Sequence, residues 1–270
     1  MASRPDELDE LLDVAVAAAI AGGAKLRRFW NEGVRQRAKA GSVSYDLVSD
    51  ADLQSQDAVV EVISSRCPDH GILAEEDLAK RLGAEHLWVI DPLDGTNNFA
   101  HRVPQFAVSV GYFHCGQPTV GVIHSPISGE TFTAIRGRGA RRDAQKILAS
   151  DSASLSESLV GCGFYYDRGD MMRRTLLAIE DFFTEDIHGI RRLGAASLDL
   201  CAVALGQFGV FFEYKLSPWD FAAGQLIVSE AGGTITDASG NPLGLVPSSV
   251  LATGPLLHEA AKAITSKHHP

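Results

Sequence analysis

The sequence predicts a mixed α/β protein built as two closely joined lobes, residues 1–150 and 151–270. Three observations lead there. Apolar residues recur at helical spacing over residues 8–30 and 50–65. Short apolar runs divided by Gly and Pro fill residues 72–135. After residue 159, strand-like and helix-like segments alternate, a pattern that favours layered α/β architecture.

The first helix opens after Pro5 and Asp6 and places Leu8, Leu11, Leu12, Ala15, Ala19 and Leu26 at helical spacing. A second runs from Asp50 to Ser65 with Leu53, Val59, Val60 and Ile63 on one face, and Pro68 stops it. Strands are expected at 87–90, 106–113, 119–124 and 131–135, with Cys115-Gly116-Gln117-Pro118 as one of the turns. A Ser-rich stretch over 150–158 marks the boundary between lobes. Beyond it the reading is strand 159–164, helix 171–183, strand 190–193, helix 197–205, strand 210–214 and helix 221–231. A last helix over 256–264 precedes a His-rich end expected to be frayed.

The 270 residues are 45% apolar and 21% charged, ample for a large core. A formal charge of −10 argues against a nucleic-acid or acidic-membrane surface. Arg136, Arg138, Arg141 and Arg142 read as an exposed, solvated loop. The four cysteines form no CxxC and are expected buried and reduced; the nine histidines show no HExxH. The acidic N-terminus lacks a signal-peptide layout, and no apolar run approaches the ~20 residues a membrane span needs. The chain is expected to be cytoplasmic.

The most informative segment is 87–99, LWVIDPLDGTNNF, in which an apolar strand runs out at Asp91 and Pro92 and Gly95 force a turn. Asp91 and Asp94 are thereby expected to point the same way, a donor set suited to a hard cation such as Mg²⁺. Gly95 and Thr96 would offer backbone N–H groups to a phosphate. Taken alone, Asp-Gly is also an ordinary surface turn. Asp46, Asp50 and Asp52 lead into the second helix, Glu75, Glu76 and Asp77 end an apolar stretch, and Asp220 follows Trp219 at a helix start. Individually these read equally as a solvated charge run or a helix cap.

Together they resemble the inositol monophosphatase family. The matching motifs are Asp46-Leu-Val-Ser-Asp50-Ala-Asp52, Ala74-Glu75-Glu76, Asp91-Pro-Leu-Asp94-Gly-Thr96, and Trp219-Asp220-Phe-Ala-Ala-Gly with Glu230-Ala-Gly-Gly233, in the family's order across nearly the whole chain. The resemblance implies a layered α/β/α/β/α sandwich and Mg²⁺-dependent hydrolysis of a small phosphate monoester. It further implies that Glu75, Asp91, the Leu93 carbonyl, Asp94 and Asp220 hold two or three Mg²⁺ ions. Asp52, Thr96 and Glu75 are implied as the catalytic set, with Thr96 and Asp52 as the water-activating pair. Asp94, Gly95, Thr96, Gly194, Ala195, Ala196, Glu213 and Asp220 are implied as substrate contacts. Four gathered carboxylates also need cations on electrostatic grounds, since otherwise they repel one another and take up protons.

The chain departs from the usual pattern at Ser49, Asn97, Ala195 and Asp143-Ala144. Loss of a hydroxyl at 195 bears on which substrate is taken rather than on the chemistry. Inositol 1-phosphate is the first expectation and histidinol phosphate the alternative; fructose bisphosphate and 3′-phosphonucleotides lack a visible basic cluster for a second phosphate. A reading from another class is a non-catalytic regulatory or binding protein on the same fold. A homodimer and sensitivity to Li⁺ are expectations carried by the resemblance. The Gly137-Arg-Gly139 pair is no nucleotide fingerprint.

Overall fold

The computed structural model describes residues 5–32, 36–38, 47–76 and 78–270. Asp46, Asp77 and the side chain of Ser49 lie outside the described residues. In the first half, helix α1 (Pro5–Glu32) is followed by a two-stranded ribbon, β1 (Gln36–Ala38) and β2 (Leu47–Ser49), and by α2 (Asp50–Arg66). Strands β3 (Gly71–Ala74), β4 (Leu78–Lys80) and β5 (His86–Asp94) come next, then the short α3 (Thr96–Ala100). The series β6 (Ala107–His114), β7 (Gln117–His124), β8 (Thr131–Ile135), β9 (Ala140–Arg142) and β10 (Gln145–Ile147) completes an eight-stranded sheet ordered 10-9-8-7-6-5-3-4. Only the β3–β5 pair is parallel.

The second half comprises β11 (Leu159–Cys162), α4 (Asp170–Thr184), β12 (Gly189–Arg191), α5 (Ala196–Ala204), β13 (Val210–Leu216), α6 (Pro218–Glu230), β14 (Thr234–Thr236), β15 (Ser248–Thr253) and α7 (His258–Lys267). Its strands form a mixed five-stranded sheet ordered 12-11-13-15-14. The layers follow from what each helix touches. Helices α1 and α2 cover the outer face of the large sheet; α5 and α6 lie between the sheets; α4 and α7 cover the far face of the small one. This is the five-layer α/β/α/β/α sandwich.

Each interlayer space has its own apolar filling. Leu26, Ile63, Ile72, Trp88 and Tyr112 fill the outer one. Ile123, Phe132, Leu200, Phe211, Phe221 and Ile227 fill the middle one, and Phe182, Phe212, Leu251 and Ile264 the third. Phe211 and Phe212 are neighbours on β13 and serve opposite faces, as strand alternation requires. Helix α5 is buried along its whole length, including Asp199, and α6 over most of its length; a helix apolar on all sides belongs inside.

Helix α6 approaches the large sheet unusually closely. A Cβ on Gly121 would stand 2.7 Å from the Ala223 carbonyl oxygen, and one on Gly111 3.2 Å from Ala222. Two glycines on adjacent strands, paired in register, therefore make room for a helix backbone whose own residues there are alanine. That contact sets the position of Asp220 at the helix's N-terminal end.

Several expectations need correction. Helix α6 starts at Pro218, as the Pro218-Trp219-Asp220 start indicates, rather than at residue 221, because proline is well suited to the first helical turn. The strand expected at 87–90 continues through Pro92 to Asp94. Strands β4, β9, β10, β12 and β14 are three residues long and too short to show a period of their own. The C-terminus is docked rather than frayed: His268 is buried against the Asp181 carboxylate at 2.7 Å, and His269 meets Ser249 Oγ at 2.9 Å. Cys162 and Cys201 are buried as expected, but Cys67 is half-buried and Cys115 exposed. Arg138 and Arg142 are paired with Asp9 and Glu130 rather than merely solvated. No helix among the described residues is long and apolar enough to cross a membrane.

Candidate active site

The site forms where β5 runs out between the two sheets. Asp91 and Asp94 are three residues apart, so regular alternation would send them to opposite faces. The register with β6 solves this. Asp91 pairs with Ser109 and Asp94 with Ala107, so β5 carries one residue more than its partner over that stretch. Such a bulge re-aims a side chain, and Pro92, which has no N–H for the ladder, suits it. The Pro92 carbonyl is taken by Ser55 Oγ of α2 at 2.8 Å, and the Leu93 amide by Asp91 Oδ1 at 3.0 Å. The two aspartates thus share a side through a bulge within the strand, not through a turn after it. Gly95 then takes a left-handed conformation (φ 92°) to start α3.

Asp220 comes from the third position of α6, where one carboxylate oxygen accepts the Ser217 amide at 2.7 Å. Capping and site-building are therefore both served by this side chain. One oxygen from each of Asp91, Asp94 and Asp220 lies within 4.8 Å of the others. Glu75, at the loop after β3, lines the same cleft, and its charge reaches both Asp91 and Asp220. Burial, then the charge of Glu75 and the neighbouring aspartates, pushes the Asp91 carboxyl well above its usual range. Asp220 is raised likewise by burial, Asp94 and Glu75. Asp94 is raised by burial too, but amides of Ala196 and Ser197 and the Ser197 hydroxyl hold it back.

Asp52, on α2, is fully buried, and Asp91 feels its charge. Thr96 lines the cleft and donates its hydroxyl to the Leu93 carbonyl at 3.1 Å. The far side of the cleft is walled by Gly194, Ala195, Ala196 and Glu213. The structure thus brings every cleft-lining residue expected from sequence into one cavity of about 110 Å³, with Asp52 buried near Asp91.

Sequence reasoning missed four neighbours. Arg192 is the one cation lining the cleft among the described residues, and Asp199 faces it from within α5. Asn98 Nδ2 donates to the Gln105 and Leu193 carbonyls at 2.7 and 2.8 Å, tying the loop after β5 to residues 193–195. Ser197 binds Asp94 across 103 positions of sequence. Asn98 lies within the segment 87–99 but was given no role there; the other three belong to no local pattern, and only the Arg192-Leu-Gly194 proximity hinted at the first. Burial pushes Glu213 up to about 8, opposed by the Arg192 charge. Glu230, part of the motif used above, lies away from the cleft, where its carboxylate accepts the Gly137 and Gly139 amides at 2.7 and 2.8 Å.

Comparison with known proteins agrees with this geometry. The model of the inositol monophosphatase family matches residues 7–269. An inositol-1-monophosphatase from Synechocystis is 39% identical over 260 residues, covering 94% of this chain and 88% of that protein. A putative Nus factor SuhB from Neisseria meningitidis is 40% identical, covering 93% and 96%. The structure of inositol monophosphatase from Anabaena superposes with a TM-score of 0.85 at 37% identity, covering 97% of each chain. Fold and cleft together define a phosphoric monoester hydrolase. The chain belongs to the inositol monophosphatase family.

Proposed function

We propose that the chain hydrolyses a small phosphate monoester in the cleft between its two sheets, with inositol 1-phosphate as the first substrate and histidinol phosphate as the alternative. The observation that carries this is the convergence of Asp91, Asp94 and Asp220 within 4.8 Å in a largely buried setting. Burial and mutual repulsion oppose their charges, so an oxygen-rich pocket of this kind fits a hard divalent cation. Asp91, Asp94, Asp220, Glu75 and the Leu93 carbonyl are the residues that would hold Mg²⁺. When bound, Mg²⁺ supplies charge neutralisation for the phosphate and activation of a water.

The chain's own groups do the rest. Thr96, its hydroxyl proton committed to the Leu93 carbonyl, keeps oxygen lone pairs to orient a water, and Asp52, whose charge reaches Asp91, is the base assigned to take that water's proton. Gly95 and Thr96 line the cleft where phosphate would sit. Gly194, Ala195, Ala196, Glu213 and Arg192 form a polar wall for the alcohol portion. One lining cation disfavours substrates with a second phosphate. The division into lobes 1–150 and 151–270 is retained as a proposal, since among the described residues each sheet draws its strands from one half alone. A homodimer, cytoplasmic residence and Li⁺ inhibition are proposed from the family likeness alone.

The test is a Mg²⁺-dependent phosphate-release screen over inositol 1-phosphate, histidinol phosphate, fructose bisphosphate and a 3′-phosphonucleotide. Turnover of the first or second, abolished by chelator and by Asp94→Asn, is expected. Full turnover in excess chelator would overturn the reading. The Nus factor names of several relatives, the Neisseria protein among them, favour a second reading as a non-catalytic, partner-binding protein; absence of turnover on every substrate would move the assignment there.

A further inference from the structure

A second cluster of metal-ligating side chains lies at the opposite end of β5 from the acidic cleft. Asp94 and His86 bound this strand, and eight residues at about 3.3 Å each separate them by roughly 25 Å. His86 pairs in register with His114 on β6, and the Cys115 amide donates to the Glu85 carbonyl at 2.7 Å just beyond. Two adjacent cross-strand pairs therefore bring four donor side chains to one sheet corner: Glu85, His86, His114 and Cys115.

Regular alternation would split these pairs between the two faces. Here it does not hold, because Glu85 precedes the strand and Cys115 has a left-handed backbone (φ 49°). The side chains gather instead. His114 Nε2 meets Glu85 Oε1 at 2.9 Å, and Cys115 Sγ lies 3.6 Å from the same oxygen. Ligand atoms of Glu85, His86 and His114 all fall within 4.8 Å of one another. The rings of His86 and His114 lie parallel, 5.0 Å apart.

The imidazole of His86 is also held from behind. Its Nδ1 is 2.6 Å from Tyr112 Oη, and its ring stacks on His70, itself bonded through Nδ1 to Trp88 Nε1 at 3.0 Å. With Nδ1–H given to the tyrosine oxygen, the Nε2 lone pair is the one left for a ligand, the arrangement in which metal-binding histidines are oriented by an outer partner.

We propose that Glu85, His86 and His114 form a binding site for Zn²⁺, separate from the acidic cleft. Two imidazoles and one carboxylate, with water in the fourth position, suit a borderline ion in tetrahedral geometry, whereas the all-oxygen cleft suits Mg²⁺. Ligands of a tetrahedral Zn²⁺ stand about 3.4 Å apart. Glu85 is exposed, so its carboxylate can swing to close the set, while His114 is largely packed in place. Binding exchanges the Glu85–His114 hydrogen bond for metal bonds.

The experiment uses the full chain, stripped with chelator and then held in excess Mg²⁺ to occupy the acidic cleft. Calorimetric titration with Zn²⁺ is expected to show one equivalent bound, with a raised melting temperature. Glu85→Gln, at an exposed position, and His114→Asn are expected to weaken that binding at least about tenfold while leaving phosphatase turnover in Mg²⁺ unchanged. Failure of the wild-type chain to bind Zn²⁺ under excess Mg²⁺ overturns the site, as does binding that both variants retain in full. The calorimetric and thermal readouts are independent of the substrate proposed above.

Discussion

Ser197, the second residue of α5, donates both its amide (2.7 Å) and its hydroxyl (2.5 Å) to one carboxylate oxygen of Asp94, at the end of β5. The Ala196 amide reaches the other oxygen at 3.2 Å. The start of a helix from the second half thereby orients a carboxylate of the first half and holds its charged form. This one contact closes the cleft.

Ser197→Ala removes the hydroxyl but leaves both amides. A hydrogen bond to a charged group is worth roughly 1.5–3 kcal/mol. Asp94 then binds its proton more tightly, and a divalent cation competes less well. The Mg²⁺ concentration for half-maximal phosphate release is expected to rise about tenfold. An unchanged Mg²⁺ dependence would show that the amides suffice.

Glu213 gives a pH dependence of stability. Its carboxyl ionises near 4.5 when unfolded and near 8 when folded, because burial outweighs the attraction of Arg192. The folded chain therefore keeps a proton that the unfolded chain releases. Stability from this group is complete below about pH 4.5 and is lost as pH rises to about 8. In chelator, Glu213→Gln is expected to gain on the wild type across that window, read as the difference in urea midpoint. A difference flat with pH would contradict it.

Gly163 lies where a Cβ would sit 1.8 Å from Glu213 Oε2. Its backbone φ is not among the positive ones, so alanine is accommodated only by displacing the carboxylate. Gly163→Ala is expected to raise KM about tenfold, within the 1–3 kcal/mol that small changes in a binding pocket produce. The Mg²⁺ requirement should stay unchanged. Steady-state kinetics at saturating Mg²⁺ separates the two effects.

Gly121→Ala tests the close seat of α6. The added methyl meets the Ala223 carbonyl oxygen at 2.7 Å, so the helix must lift and carry Asp220 with it. A stability loss of about 1–3 kcal/mol is expected from overpacking, with a larger fall in turnover than in melting temperature. Equal turnover would show that Asp220 tolerates the shift.

The acidic residues, their order and the elements that bear them are legible along the linear chain. The 3.6-residue period of α1 and α2, the apolar run into Asp91 and the Pro218-Trp219-Asp220 helix start are local features that need no partner to be read. Local patterning also exposed Asp91 and Asp94 as a pair, though it assigned their common direction to a turn. That a bulge against β6 aims them together emerges on folding, because a bulge is a mismatch between two strands and exists in neither alone. The same holds for Ser197 at Asp94, for Arg192 and Asp199 in the cleft wall, and for the histidine pair at the far end of β5. These are contacts between residues distant in sequence, fixed by strand register and layer packing, and no spacing along a single chain encodes them.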